Sequence, residues 1–304
     1  MNRHTLRPPA VLPTGIIALD LALGRGGLPR GEIIEIYGQP SSGKTTLALL
    51  IAAEAQMMDL TCLYLDLEKG LTPAYASRCG VSPEKLLMGS PEHGEEVLEL
   101  AYQAVHGGGV QVVVIDTIAA LCPRRQHILP TAVPTGRELN TLLIPALRRL
   151  KRLCQDRQAS LICLNQLRTR LRTGYGQPET SPGGMVLKIQ AAVRIRLDRI
   201  PAHPPSDHSP GEPIQASIQK NQGDRIRSVI FNIVYNRGVN REEQLISLSY
   251  QQNILSRVGS QYFYRGRSLG STPAEVQELL RTDRKLRLNL RSELYQKLLP
   301  ISQE

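Results

Sequence analysis

The run "GQPSSGKT", Gly38 to Thr45, places a lysine and a hydroxyl directly after the second of two glycines. It satisfies G-x-x-x-x-G-K-[ST], a loop whose backbone N–H groups cradle phosphates at the start of a helix. Lys44 can then reach the terminal phosphates and Thr45 can hold magnesium, with Gly38, Gln39, Pro40, Ser41, Ser42, Gly43 and Thr46 completing the loop. Such a loop needs a second carboxylate on the magnesium side, and Asp116, closing "VVVID", fits. Transfer of a phosphoryl group to water further needs a residue that positions the water. Glu68, at the end of "CLYLDLE", is the candidate; taken alone, it reads equally well as a surface carboxylate at a strand end. The expected ligands are ATP and Mg2+.

These residues need elements to hold them. "GEIIEIYG" is a β-branched run, and "QPSSGKTTLALLIAAEAQ" after it has apolar residues at helical spacing, so the motif sits between a strand and a helix. Residues 62–68, 110–121 and 159–165 are further apolar strands, and 92–106 has a helical pattern. Continuous apolar strands alternating with helices predict a mostly parallel sheet covered on both faces, a P-loop α/β core. Segments 190–198, 215–220 and 226–235 extend it. Pro145 inside the helical stretch "RELNTLLIPALRRLKRLCQD" predicts a kink or a restart. "PAHPPSDHSPGEP" reads as a flexible surface loop with solvated His203 and His208. After residue 241 the pattern changes to short elements. Thr272, Pro273 and Glu275 then form a helix-start signature, opening a last helix that carries Arg281, Arg284, Lys285, Arg287 and Arg291. The expected division is a short arm at 1–14, an ATPase core at 15–240 and a small α+β domain at 241–304.

Composition limits the function classes. No apolar run is long enough to span a membrane, and "MNRHTLRPPA" does not resemble a signal peptide, so a cytoplasmic protein with no membrane partner is expected. Five cysteines without a CxxC pair read as reduced thiols. A formal charge of +10 suggests a polyanionic partner, nucleic acid first.

Together, "GGLPRGEIIEIYGQPSSGKTTL", "LYLDLEKGLTPAYASRCGV", "VVVIDTIAALCP", "LICLNQLR" and "GQPETSPGG" resemble the RecA recombinase family, the bacterial ATPases that pair and exchange DNA strands. The resemblance runs from about residue 10 to residue 300. It implies nucleotide and magnesium roles for Lys44, Thr45 and Asp116, and makes Glu68 the residue that activates water. Tyr75 matches an aromatic that stacks on adenine, and Tyr235 a residue near the base. Thr72 stands where the family has aspartate near the adenine amino group. Gln166 matches the glutamine that senses the γ-phosphate and leads into the second DNA-binding loop. In that loop Arg168, Arg170 and Arg172 supply phosphate contacts, Tyr175 lies against a base, and Gly183 and Gly184 allow close backbone approach. Arg148 matches another phosphate contact.

Several positions depart from the family. The first DNA-binding loop, expected within "PRRQHILPTAVPTGRE", has apolar residues and prolines, with Ile128, Leu129 or Val133 as candidate wedges between bases. Of two lysines that the family projects onto a neighbour's ATP, Lys220 is kept and Gln222 replaces the other. The family's amino-terminal helix and acidic tail have no counterpart in these 304 residues. The expected activity is DNA-dependent ATP hydrolysis with strand exchange on single-stranded and duplex DNA by a self-associating protein. The alternative is a RecA paralogue that uses ATP as a switch and regulates recombination. A P-loop kinase or hexameric helicase fits the loop after Gln166 poorly.

Overall fold

The computed structural model describes residues 11–124, 136–169, 179–200, 211–222, 227–234 and 238–299; for 168, 169, 179 and 180 it describes the backbone alone. β1 (Val11–Leu12) pairs antiparallel with β2 (Leu28–Pro29) across α1 (Ile17–Ala22). β3 (Ile33–Gly38) runs into α2 (Lys44–Met57), β4 (Cys62–Asp66) leads to α3 (Pro73–Arg78), and β5 (Leu86–Gly89) leads to α4 (Gly94–His106). β6 (Val112–Asp116) precedes α5 (Gly136–Arg157), and β7 (Ser160–Gln166) precedes the short pair β8 (Arg168–Thr169) and β9 (Glu179–Thr180). α6 (Gly184–Gln190), β10 (Val193–Arg199), β11 (Glu212–Asn221) and β12 (Ser228–Ile233) complete this part. Beyond it lie α7 (Arg241–Gln251), strands β13 (Ser256–Val258), β14 (Gln261–Tyr264) and β15 (Arg267–Gly270), then α8 (Pro273–Thr282) and α9 (Arg284–Leu298).

The central sheet has the order β12-β11-β10-β3-β7-β6-β4-β5. Every neighbouring pair from β10 to β5 is parallel, while β11 and β12 add antiparallel strands at one edge. The inner strands β3, β4, β6 and β7 are buried almost throughout because both faces are covered, whereas β10 and β11 alternate buried apolar and partly exposed polar residues. One face packs on α2, through Leu47, Leu50 and Ile51, and the other on α4, α5 and α6, through Leu98, Leu143 and Leu187. The fold is the predicted α/β type.

Of the kink or restart expected at Pro145, the restart does not occur in α5. This element runs as one helix of 22 residues with Pro145 inside it. A proline in a helix interior costs about 3 kcal/mol. Leu139, Leu143, Leu147, Leu150 and Leu153 are buried along one face of the same helix, and each contributes about 1.5–3 kcal/mol. The burial outweighs the break, and Pro145 faces solvent, where water can satisfy the carbonyl it frees.

The expected last helix is two. Asp283 ends α8 and caps α9, its Oδ1 accepting the Leu286 N–H at 2.9 Å. Thr272 caps α8 as the sequence predicts, accepting the Glu275 N–H at 3.3 Å. These helices, α7 and the β13–β15 sheet enclose a further core of Leu245, Tyr262, Val276, Leu280, Leu290 and Leu294, which Ile17 of α1 joins. Cys62, Cys79, Cys154 and Cys163 are buried and unbridged, and burial pushes the Cys62 thiol up to about 12. Among the described residues no helix is long and apolar enough to cross a membrane. His203 and His208 lie outside the described residues, as do Ile128, Leu129 and Val133.

Candidate nucleotide site

The carboxyl ends of β3, β4, β6 and β7 meet over one cavity of about 790 Å³, the place where parallel sheets hold ligands. Register explains why. Gly38 on β3 is paired with Gln166 on β7, and Asp66 on β4 with Asp116 on β6. Pro40 through Thr46, Glu68, Tyr75, Asp116 and Gln166 all line this cavity.

The loop requires its glycines. A Cβ on Gly38 would come within 2.2 Å of the Leu197 carbonyl oxygen. Gly43 has φ +88°, and a Cβ there would lie 2.3 Å from Ile233 Cδ1. Lys44 is 8% exposed, and its Nζ donates to the carbonyls of Gly38 at 3.2 Å and Gln39 at 2.7 Å. Burial lowers its pKa, with Asp116 and Glu68 opposing.

Thr45 Oγ1 donates to Asp116 Oδ2 at 2.8 Å, and Tyr64 Oη donates to the same oxygen at 2.6 Å. Burial raises the Asp116 pKa, while these two hydroxyls lower it. A hydroxyl and a carboxylate converging in this way are the hard oxygen ligands that suit magnesium. Ser42 Oγ, buried in the same loop with no hydrogen-bond partner among the described residues, leaves a further polar atom for a phosphate or its ion.

At the far side Gln166 Nε2 donates to Glu68 Oε1 at 2.5 Å. Desolvation raises the Glu68 pKa, Asp116 adds to the rise, and Lys44 opposes it. Behind Gln166, Asn165 is fully buried: its Oδ1 accepts the Gln166 N–H at 3.0 Å, and its Nδ2 donates to Glu35 Oε1 at 3.1 Å and to the Pro182 carbonyl at 2.9 Å. Glu35 Oε2 in turn takes Arg194 Nε at 2.5 Å. Asn165 therefore ties Pro182, the far end of the segment 167–182, to the tip of β7.

Tyr75 meets Thr46, Oη to Oγ1, at 2.6 Å, and Thr72 caps α3 by accepting the Tyr75 N–H at 3.3 Å. Gly183 has φ +61° and would drive a Cβ to 2.4 Å from Leu143 Cδ1, so the glycine pair has a packing reason at the start of α6. Arg148 is on the exposed face of α5. Lys220 does not line the cavity; its Nζ caps α6 through the carbonyls of Lys188 at 3.0 Å and Ile189 at 3.1 Å. Arg168 begins β8, with its side chain outside the description, and Arg170, Arg172, Tyr175 and Tyr235 lie outside the described residues.

Sequence reasoning missed Tyr64, and with it the Arg199–Glu212 ion pair (2.5 Å) and the apolar Ile214 and Ile233 on the cavity wall. Tyr64 had one visible signal, an aromatic two residues before the carboxylate that ends its aliphatic strand.

The family model described as the RecA N-terminal domain matches residues 4–240. The chain belongs to the RecA family. Its RecA relatives include "Protein RecA" of Laribacter hongkongensis, 37% identical over 272 residues, which are 89% of this chain and 77% of the relative. "Protein RecA" of Desulfovibrio desulfuricans is 39% identical over 272 residues, 89% of this chain and 76% of that one. "Protein RecA" of Acidothermus cellulolyticus is 37% identical over 292 residues, 96% and 85% of the two chains.

Proposed function

We propose that this chain is a DNA-dependent ATPase that binds single-stranded DNA and pairs and exchanges it with duplex DNA. The observation that carries the reading is the Gln166–Glu68 hydrogen bond at the mouth of the P-loop cavity, on the strand that leads into the arginine-bearing segment. The division into an arm at 1–14, a core at 15–240 and a domain at 241–304 belongs to the same proposal, as do the cytoplasmic setting and self-association.

In this reading the P-loop N–H groups and Lys44 hold the triphosphate, and Tyr75 contributes to the base site, with Tyr235 the further residue beside the base. Thr45 and Asp116 are the side chains that would hold magnesium, which when bound offsets phosphate charge. Glu68 accepts a proton from water as its oxygen attacks the γ-phosphorus, and the bond to the β–γ bridging oxygen breaks, releasing ADP. The γ-phosphate competes with Glu68 for the Gln166 amide. Moving that amide moves the tip of β7, and Asn165 passes the movement to Pro182 at the other end of the segment. Arg168, Arg170, Arg172 and Arg148 contact DNA phosphates, and Tyr175 contacts a base. By linkage, DNA on the segment biases the amide by the same free energy.

The test is ATP turnover with and without single-stranded DNA. Turnover rises on adding DNA, and Lys44→Ala removes it; turnover indifferent to DNA contradicts the proposal.

One position favours a second reading, a paralogue that uses ATP as a switch with little hydrolysis. Gln222 stands where the family has a lysine reaching the neighbour's nucleotide. Its backbone is held, N–H to Ala192 O at 3.2 Å and its own carbonyl to Arg25 Nη2 at 2.8 Å. A large gain in turnover on Gln222→Lys would support this second reading.

A further inference from the structure

A second cavity, of about 470 Å³, opens between the carboxyl-terminal helices and the end of α2 farthest from Lys44. Small-molecule pockets typically occupy about 300–1,000 Å³. Five guanidinium groups line it: Arg78 at the end of α3, Arg241 at the start of α7, Arg281 on α8, and Arg287 and Arg291 on α9. Asp20, Glu54 and Glu242 are the carboxylates of the same wall, so cations outnumber anions even with all three ionised.

The carboxylates are shared unevenly. Glu54 is nearly fully buried and takes Arg241 Nη1 at 3.1 Å and Arg291 Nη1 at 2.6 Å, while the other terminal nitrogen of Arg241 donates to the Cys79 carbonyl. These two arginines are committed to holding the helices together. Asp20 has both oxygens occupied, by the Thr14 N–H at 2.7 Å and Tyr295 Oη at 2.7 Å. Glu242 meets Arg281 only at 3.8 Å and Arg287 only at 3.9 Å, beyond hydrogen-bond reach. Arg281 otherwise reaches exposed Glu278 at 3.4 Å, and Arg287 reaches the Met57 sulfur at 3.7 Å. Both keep N–H donors to spare. Arg78 is exposed and has no hydrogen-bond or ion-pair partner among the described residues.

Guanidinium forks match phosphate oxygens in pairs. Three such forks, from three separate helices around one cavity, suit a chain of phosphoryl groups better than a lone carboxylate. We propose that this cavity binds an oligophosphate anion, held by Arg78, Arg281 and Arg287. The anion ties α8 and α9 to the two helices that wall the nucleotide cavity: α2 carries Lys44 at one end and Met57 at the other, and α3 carries Tyr75 and ends at Arg78.

The test is calorimetric titration of the full chain with inorganic tripolyphosphate, in the native sequence, Lys44→Ala, Arg78→Ala and Arg281→Ala/Arg287→Ala. Saturable binding persists in Lys44→Ala and weakens about tenfold or more in each arginine variant. Arg78 is exposed, so Arg78→Ala remains readable if the double variant folds poorly. Binding that vanishes with Lys44→Ala, binding unchanged by Arg78→Ala, or no saturable binding at millimolar concentrations overturns the proposal. Repeating the Lys44→Ala titration with ATP separates a free oligophosphate from the tail of a nucleotide. A single-stranded oligonucleotide that loses affinity in the arginine variants while tripolyphosphate does not also overturns it.

Discussion

Gln166 ends β7 and Glu68 lies in the bend two residues beyond β4, far apart in the chain, yet they share a 2.5 Å hydrogen bond. Each residue type was legible in the sequence as the polar end of an apolar run, but the bond between them was not, because it depends on the order β7-β6-β4. The same holds for Tyr64, whose hydroxyl reaches Asp116 across two parallel strands. If Glu68 is the proton acceptor, Glu68→Gln keeps the amide contact in shape while removing the base. Steady-state turnover then falls by about 10²- to 10⁴-fold with nucleotide affinity nearly unchanged. A variant within a factor of about three of the native rate removes Glu68 from the chemistry.

At the scale of elements, β4, β6 and β7 were the most legible part, because each is a run of mainly apolar residues ending in a polar one. β5 was not, since Leu86–Gly89 has only Leu86 fully buried and its alternation is too short to register. The unbroken α5 and the break at Asp283 were misread for opposite reasons. In α5 a buried leucine stripe overrides a local breaker, and at Asp283 a side-chain cap ends a helical pattern that periodicity alone continues. Beneath the tip of β7 the Glu35–Arg194 pair lies almost wholly out of water, with Glu35 fully buried. Burial raises the Glu35 pKa and Arg194 opposes it. Removing one member of a buried pair costs about 3–5 kcal/mol, whereas replacing both by apolar groups is often neutral. Arg194→Met therefore lowers the denaturant midpoint sharply, and adding Glu35→Met restores most of it. A small effect of the single variant shows the pair is hydrated in solution.

The core on the α2 side of the sheet joins the carboxyl-terminal core through α1 and α9. Asp20 sits in that joint, 1% exposed, and burial raises its pKa to about 7. The native state therefore holds a proton that the unfolded chain has already released, so stability falls as pH rises from about 4 to about 7 and levels off above. Asp20→Asn keeps an acceptor for the Thr14 N–H and removes this loss. Chemical denaturation at pH 5 and pH 8 shows the native chain losing stability relative to the variant; an equal gap at both values means Asp20 does not titrate with folding. The proposed coupling of the nucleotide cavity to DNA through the tip of β7 likewise spans the whole molecule. The measurement is affinity for single-stranded DNA with and without a non-hydrolysable ATP analogue, in the native chain and in Gln166→Ala. The analogue tightens DNA binding in the native chain and leaves it nearly unchanged in the variant. An equal response in both contradicts the claim that Gln166 is the link.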